Sequence, residues 1–207
     1  MRALILAACM LAASASPRAL ADDGGTTRHL LAGVHAFKDG RYAEALVELR
    51  VVARAADAPA DLAFYLGPTL YKLGRYAEAL DVFAASRVAP DALTDFYRGQ
   101  TCYQLRLFRK ARTIFAALRR AGLGPALDEA AGRYVAQVDA AYRSPPAIDA
   151  IDYYVEQGLE LRARDPVLAA EYLDEARQVE ALSPVRHRRA EIADALAALA
   201  ALGHPPR

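Results

Sequence analysis

Residues 60–91 read ADLAFYLGPTLYKLGRYAEALDVFAASRVAPD, two apolar helical patterns joined at residues 72–75, and the same pattern recurs on either side. Sliding the stretch back by 34 residues lays Gly67 on Gly33, Gly74 on Gly40, Tyr76 on Tyr42, Ala79 on Ala45, Leu80 on Leu46 and Phe83 on Leu49. Sliding it forward by 32 lays Gly67 on Gly99, Tyr76 on Phe108, Ala79 on Ala111 and Phe83 on Phe115. Three copies at a near-constant period mark an array of one supersecondary unit. The expected fold is therefore all-α, a stack of antiparallel helix hairpins, because no single hairpin can bury its apolar face alone.

The recurring small residues say where the helices touch. Gly33, Gly67 and Gly99 on the first helices, with Ala45, Ala79 and Ala111 on the second, fall where two antiparallel helices cross closely, and Tyr42, Tyr76 and Phe108 fill the volume above them. The first pair is predicted as helices over 28–38 and 42–55, turning at Asp39-Gly40, with Thr26 or Thr27 as cap and residues 22–27 as a loose leader. Gly40 and Gly74 sit just past an apolar pattern, where a left-handed residue ends a helix at least cost. The third copy has Arg106 in that place and must turn without glycine. Pro68 lies inside the predicted third helix; it removes a ladder hydrogen bond and crowds the carbonyl of Phe64, so a kink or a later helix start is expected.

The clear repeats cover residues 26–118, and over 119–146 the period fails. A helical pattern over 126–142, with Leu127, Ala131, Tyr134, Val135 and Val138 on one side, lies between a Gly-Pro break at 121–125 and a second break at Ser144-Pro145-Pro146. A degenerate hairpin over 147–184 follows, with Gly158 and Ala170 as its small residues and Arg164-Asp165-Pro166 as its turn. A terminal helix over 185–202 opens on Arg186-His187-Arg188-Arg189, read as a solvated face or as a contact for anionic lipid or an acidic partner.

The first 21 residues read as a secretory signal peptide: Arg2, an apolar run over 3–13, and Ala19-Leu20-Ala21 as the cleavage site, with Ala13-Ser14-Ala15 as an alternative. Export to the periplasm is expected, and residues 22–207 form one helical-repeat domain. Leu6-Ala7-Ala8-Cys9 is similar to a bacterial lipobox, so lipidation at Cys9, giving an outer-membrane lipoprotein, is the alternative, as is secretion. The other cysteine, Cys102, replaces Ala36 and Leu70 of the earlier copies and reads as a small buried hydrophobe. The net charge is +1 for the chain and −1 without residues 1–21, which argues against nucleic acid as a partner.

Chemistry-bearing motifs are missing from the sequence. His29 and His35 are six apart, which does not put them on one helical face, and neither joins a carboxylate or cysteine at a metal-ligand spacing. The acids Asp128-Glu129, Glu171 and Asp174-Glu175 read as ordinary surface neighbours of basic residues. No phosphate loop, nucleophile elbow or CxxC pair occurs. No catalytic residue, cofactor or metal is expected, and the protein is not read as an enzyme.

The segment Leu66-Gly67 through Tyr71, then Gly74-Arg75-Tyr76-Ala77-Glu78-Ala79-Leu80, resembles the tetratricopeptide repeat, and Gly40-Arg41-Tyr42-Ala43-Glu44-Ala45-Leu46 repeats its core. The resemblance implies a right-handed superhelical solenoid whose first helices line a concave groove that receives a peptide segment or helix of another protein. Its groove positions fall on Leu30, Leu31, Val34, Phe37 and Lys38; on Phe64, Tyr65, Pro68, Tyr71 and Lys72; and on Phe96, Tyr97, Gln100, Tyr103 and Gln104. The carboxylate-holding ring of the family's chaperone-binding members is not matched: Leu30, Phe64 and Phe96 stand at one of its places, and the chain has no Asn. A protein-interaction module of the bacterial envelope is the expected function. The alternative is an assembly subunit that docks through its convex face or C-terminal helix.

Overall fold

The computed structural model describes residues 23–56, 58–86, 88–141 and 148–206. Residues 1–22, which hold the expected signal peptide and Cys9, and the break at 144–146 lie outside the described residues. Ten helices and no strand occur among the described residues: α1 (Asp23–Lys38), α2 (Tyr42–Ala53), α3 (Ala63–Lys72), α4 (Tyr76–Ala85), α5 (Ala92–Gln104), α6 (Phe108–Ala121), α7 (Pro125–Ala141), α8 (Ile148–Leu161), α9 (Pro166–Leu182) and α10 (Arg189–Ala201).

Helices pack in chain order, α1 on α2, α3 on α4 and α5 on α6, and each pair touches the next through α2 with α3 and α4 with α5. First helices also meet, α1 with α3 and α3 with α5. A Cβ built on Gly33 would lie 2.8 Å from Leu49, one on Gly67 2.2 Å from the Phe83 ring, and one on Gly99 2.8 Å from the Phe115 ring. The glycine in each first helix is thus the notch for a large side chain that stands four positions after the small alanine of the second helix. Ala45, Ala79 and Ala111 are fully buried.

The three turns share one hydrogen-bond pattern. The amide of Arg41 reaches the carbonyl of Ala36 at 2.8 Å, that of Arg75 reaches Leu70 at 2.9 Å, and that of Leu107 reaches Cys102 at 2.9 Å. This pattern needs a left-handed residue one place earlier, supplied by Gly40 (φ 77°), Gly74 (φ 72°) and, in the third turn, Arg106 (φ 62°). The arginine therefore adopts the glycine geometry itself, at a cost of roughly 1 kcal/mol or more.

The later helices depart from a plain succession. α7 packs on α6, whereas α8 pairs with α9, and α9 reaches back to α6 and α4 before α10 packs on it. Within the α8–α9 pair Gly158 would place a Cβ 2.5 Å from Leu173, and Ala170 is fully buried, so both small residues stand where the sequence put them. Two apolar clusters result. One is built from α1–α4 around Leu49, Leu70 and Phe83. The other runs from Leu80 of α4 through α5–α10 around Phe115, Ile151, Leu173 and Leu199.

Several local expectations are corrected. α1 begins at Asp23, so Thr26 and Thr27 lie inside it, and part of the expected leader is helical. α3 starts at Ala63 and runs through Pro68 to Lys72, while the Thr69 hydroxyl bonds back to the Tyr65 carbonyl at 2.6 Å. The expected helix over 185–202 begins only at Arg189, since Arg188 takes a left-handed conformation (φ 53°) and forms its N-cap.

Candidate functional site

The first-helix residues assigned to a groove are brought together in part. Tyr71 of α3 lies edge-on to Tyr97 of α5, ring centres 5.5 Å apart, and also meets Tyr76 at 5.6 Å. The Lys72 ammonium sits 5.6 Å above the Tyr97 ring, a cation–π contact that holds the lysine across the α3–α5 seam. The Tyr71 phenol is raised above the usual range chiefly by burial. Tyr71, Tyr97 and their neighbour Tyr65 are half-buried against the α1–α4 cluster, each with an open side. This is the arrangement an adaptable but rigid contact surface needs, because large rings held by packing lose little freedom when a partner arrives.

At the α1 end, Phe37 stacks edge-on with Tyr42 of its own pair at 5.6 Å, Val34 is half-buried, and Lys38 is exposed beyond them. Phe64 is half-buried on α3, whereas Lys72 and Gln104 are exposed. Phe37 and Tyr42 thus form a separate ring pair at this end.

At the other end a residue outside the assigned groove matters most. Tyr134 of α7 lies flat on Phe115, with centres 4.4 Å apart and planes at 7°, and meets Tyr103 edge-on at 5.1 Å and Phe96 at 6.1 Å. Its hydroxyl accepts from Gln100 Nε2 at 3.0 Å. A cleft of about 630 Å³ opens here, lined among others by Phe96, Gln100, Tyr103, Arg133, Tyr134 and Gln137. Sequence reasoning put Tyr134 on an apolar helix side but gave it no place in the groove, because the period fails after residue 118. The signal available was Gly132, 33 residues after Gly99, although its Cβ would meet only the flexible Arg119 side chain, 3.4 Å away.

A second set of polar groups lies on the opposite helices. Glu171, Glu175 and Glu180 of α9 are buried, which for Glu171 and Glu175 corrects the expectation of surface acids. Glu175 accepts from the backbone N–H of Arg109 at 2.7 Å, in the first turn of α6, and Glu171 pairs with Lys110 in the same turn. A carboxylate at a helix N-terminus satisfies a backbone donor and faces the positive end of the helix dipole. The hydroxyls of Tyr154 and Tyr172 donate to the carbonyls of Arg106 and Leu105 at 2.9 and 3.1 Å, and the Arg106 guanidinium stacks 5.5 Å above Tyr153. Burial pushes the Tyr172 phenol up to about 12, so it stays protonated and able to donate. The turn that lacks glycine is therefore clasped by α8 and α9.

Three residues of the basic run have partners, while Arg186 and Arg189 are exposed as a solvated face requires. Arg188 pairs with Asp152 and Glu191, Arg189 with the buried Glu180, and His187 bonds Asp152 at 2.8 Å. Of the other histidines, His29 bonds Glu48 at 2.6 Å and so links α1 to α2. Cys102 is fully buried, and burial pushes its thiol up to about 12, which leaves it a neutral, unreactive filler at physiological pH. No group of three or more potential metal ligands occurs among the described residues, and none of the described helices is long and apolar enough to cross a membrane. No protein-family model matches the chain, nor does any curated protein or solved structure.

Proposed function

We propose that this protein is a non-enzymatic interaction module whose first helices, α1, α3, α5 and α7, form the concave wall of a right-handed tetratricopeptide-like array and receive a peptide segment or helix of another protein. The observation that carries this reading is the row of half-buried rings crossing helix boundaries: Tyr71 to Tyr97, and Tyr103 to Tyr134, with Lys72, Gln100 and Gln104 beside them. Aromatic anchors set among amides supply contact area together with orientation, and ordering a free peptide offsets much of that gain, so modest affinity is expected. With a leader at residues 1–21, the partner belongs to the bacterial envelope.

The test is partner capture by crosslinking in the cell envelope, followed by binding measurements on Tyr71→Ala and Tyr97→Ala. Each is expected to weaken binding by about tenfold or more, as truncated aromatic hot spots do, with the circular-dichroism spectrum unchanged. Loss of helicity with affinity intact per folded molecule would assign the rings to the core and end the groove reading.

A second reading, docking into a larger assembly through the C-terminal helix, is favoured by one observation: Leu202 is 72% exposed, and Leu182 and Val185 beside α10 are about half exposed. Under it, Leu202→Ser releases the protein from its complex and the tyrosine variants do not.

A further inference from the structure

Two cavities meet at one arginine. The first, of about 310 Å³, lies where α9 crosses α4 and α6, with Leu80, Ala84 and Ile114 as its apolar part and Arg98, Lys110 and Glu171 among its polar groups. The second, of about 190 Å³, is bounded by Phe83, Ala84, Val88, Pro90, Thr94 and Arg98. Ala84 and Arg98 belong to both, and neither cavity shares a residue with the aromatic wall of the first helices.

Arg98 is poorly satisfied by its own fold. Its Nη2 is ion-paired with Asp95 Oδ1 at 2.8 Å, yet Arg98 Nε is buried without a hydrogen bond. Burial also raises the Asp95 carboxyl above the usual carboxylate range. A buried guanidinium N–H that lacks an acceptor is costly, and such a group in a native fold calls for a partner. The other ions at the cavity are already engaged: Lys110 with Glu171, and Asp174 with Arg177 and Gln178.

We infer that the first of these adjoining cavities binds a free small monocarboxylate with an apolar tail, its carboxylate on a reoriented Arg98 guanidinium and its tail against Leu80, Ala84 and Ile114. The planar fork of arginine suits a carboxylate. Asp95, Glu171 and Asp174 nearby disfavour a doubly charged anion such as phosphate. The cavity volumes stand at the small-molecule end of ligand sites, which sets a free molecule ahead of a protein segment.

The test is calorimetric titration of the full mature chain with sodium octanoate, with 1-octanol, acetate and a leucine-terminated peptide as comparisons. Octanoate is expected to bind one-to-one, with octanol and acetate at least about tenfold weaker, since each lacks one half of the recognition. Arg98→Met, which keeps the stem and removes the charge, weakens octanoate by about tenfold or more. Ala84→Leu, which keeps Arg98 and fills the shared wall, does the same and serves should Arg98→Met fail to fold by circular dichroism. Tyr71→Ala leaves octanoate binding unchanged, which separates this site from the groove. No octanoate binding to the wild type, equal binding of octanol, an unaffected response in either cavity variant, or binding of the peptide in place of octanoate overturns the proposal.

Discussion

Adding one methyl group at Gly67 puts a carbon 2.2 Å from Cε1 of Phe83, a ring that is itself buried. Gly67→Ala is expected to lower stability by about 1–3 kcal/mol, the usual cost of overpacking, read as a fall in the urea midpoint at constant slope. The same change at Gly132 goes the other way. Its nearest foreign atom is Nε of Arg119 at 3.4 Å, the far part of a flexible side chain, so Gly132→Ala should gain about 0.5–1 kcal/mol from helix propensity alone. Two glycines with the same look in sequence thus carry opposite predictions, and only the neighbour distinguishes them. Arg106 makes the converse point, a left-handed position filled without glycine and held by Tyr154 from 48 residues away.

At the scale of elements, α9 is the helix whose charges the sequence misplaced. Glu175→Ala removes the acceptor for Arg109 N–H and is expected to cost about 1–3 kcal/mol, while Glu175→Gln, which keeps an acceptor oxygen, costs less. Denaturant unfolding of the two variants checks the order. α10 carries a pH dependence. The hydrogen bonds from His187 and Arg188 hold the Asp152 carboxyl below the usual carboxylate range, and Arg188 holds Glu191 below it as well. A lowered folded-state value means that the stabilisation is complete above the ordinary carboxylate pKa of about 4 and disappears as pH falls through the lowered one. The protection of α10 amides, taken relative to their intrinsic exchange rate, is therefore expected to decline as pH falls below about 4, and Asp152→Asn to flatten that decline. The helices of the three aligned pairs were legible because their small residues, rings and turns act between neighbours in the chain, within reach of periodicity. The buried glutamates were not, because their partners lie 61 and 66 residues away on α6, and a charge at helical spacing looks the same whether water or another helix faces it. The partners of the basic run were hidden for the same reason: Asp152 and Glu180, which pair with it, belong to α8 and α9.

For the whole molecule, the two apolar clusters predict unequal responses to truncation. A chain ending at residue 141 keeps the α1–α4 cluster whole but strips α8–α10 from the other. Hydrogen exchange is expected to remain slow in α2 and α3 and to accelerate in α5 and α6; uniform acceleration would mean that the two clusters unfold as one. The candidate groove was legible on α3 and α5, where the repeat is regular, and incomplete on α7, where the spacing slips and Tyr134 had to be seen packed on Phe115.

The clasp on the turn before α6 also bears on how the chain is made. Its bonds join residues 48, 66 and 67 positions apart, so while α5 and α6 are leaving the ribosome the carbonyl of Leu105 and the amide of Arg109 have only water to bond, and the Arg106 carbonyl lacks its second partner. The energetically awkward arginine bend is thus secured only at the close of synthesis. That makes the last sixty residues a late fastening rather than a further link, and leaves the final tightening of the chain waiting for its tail.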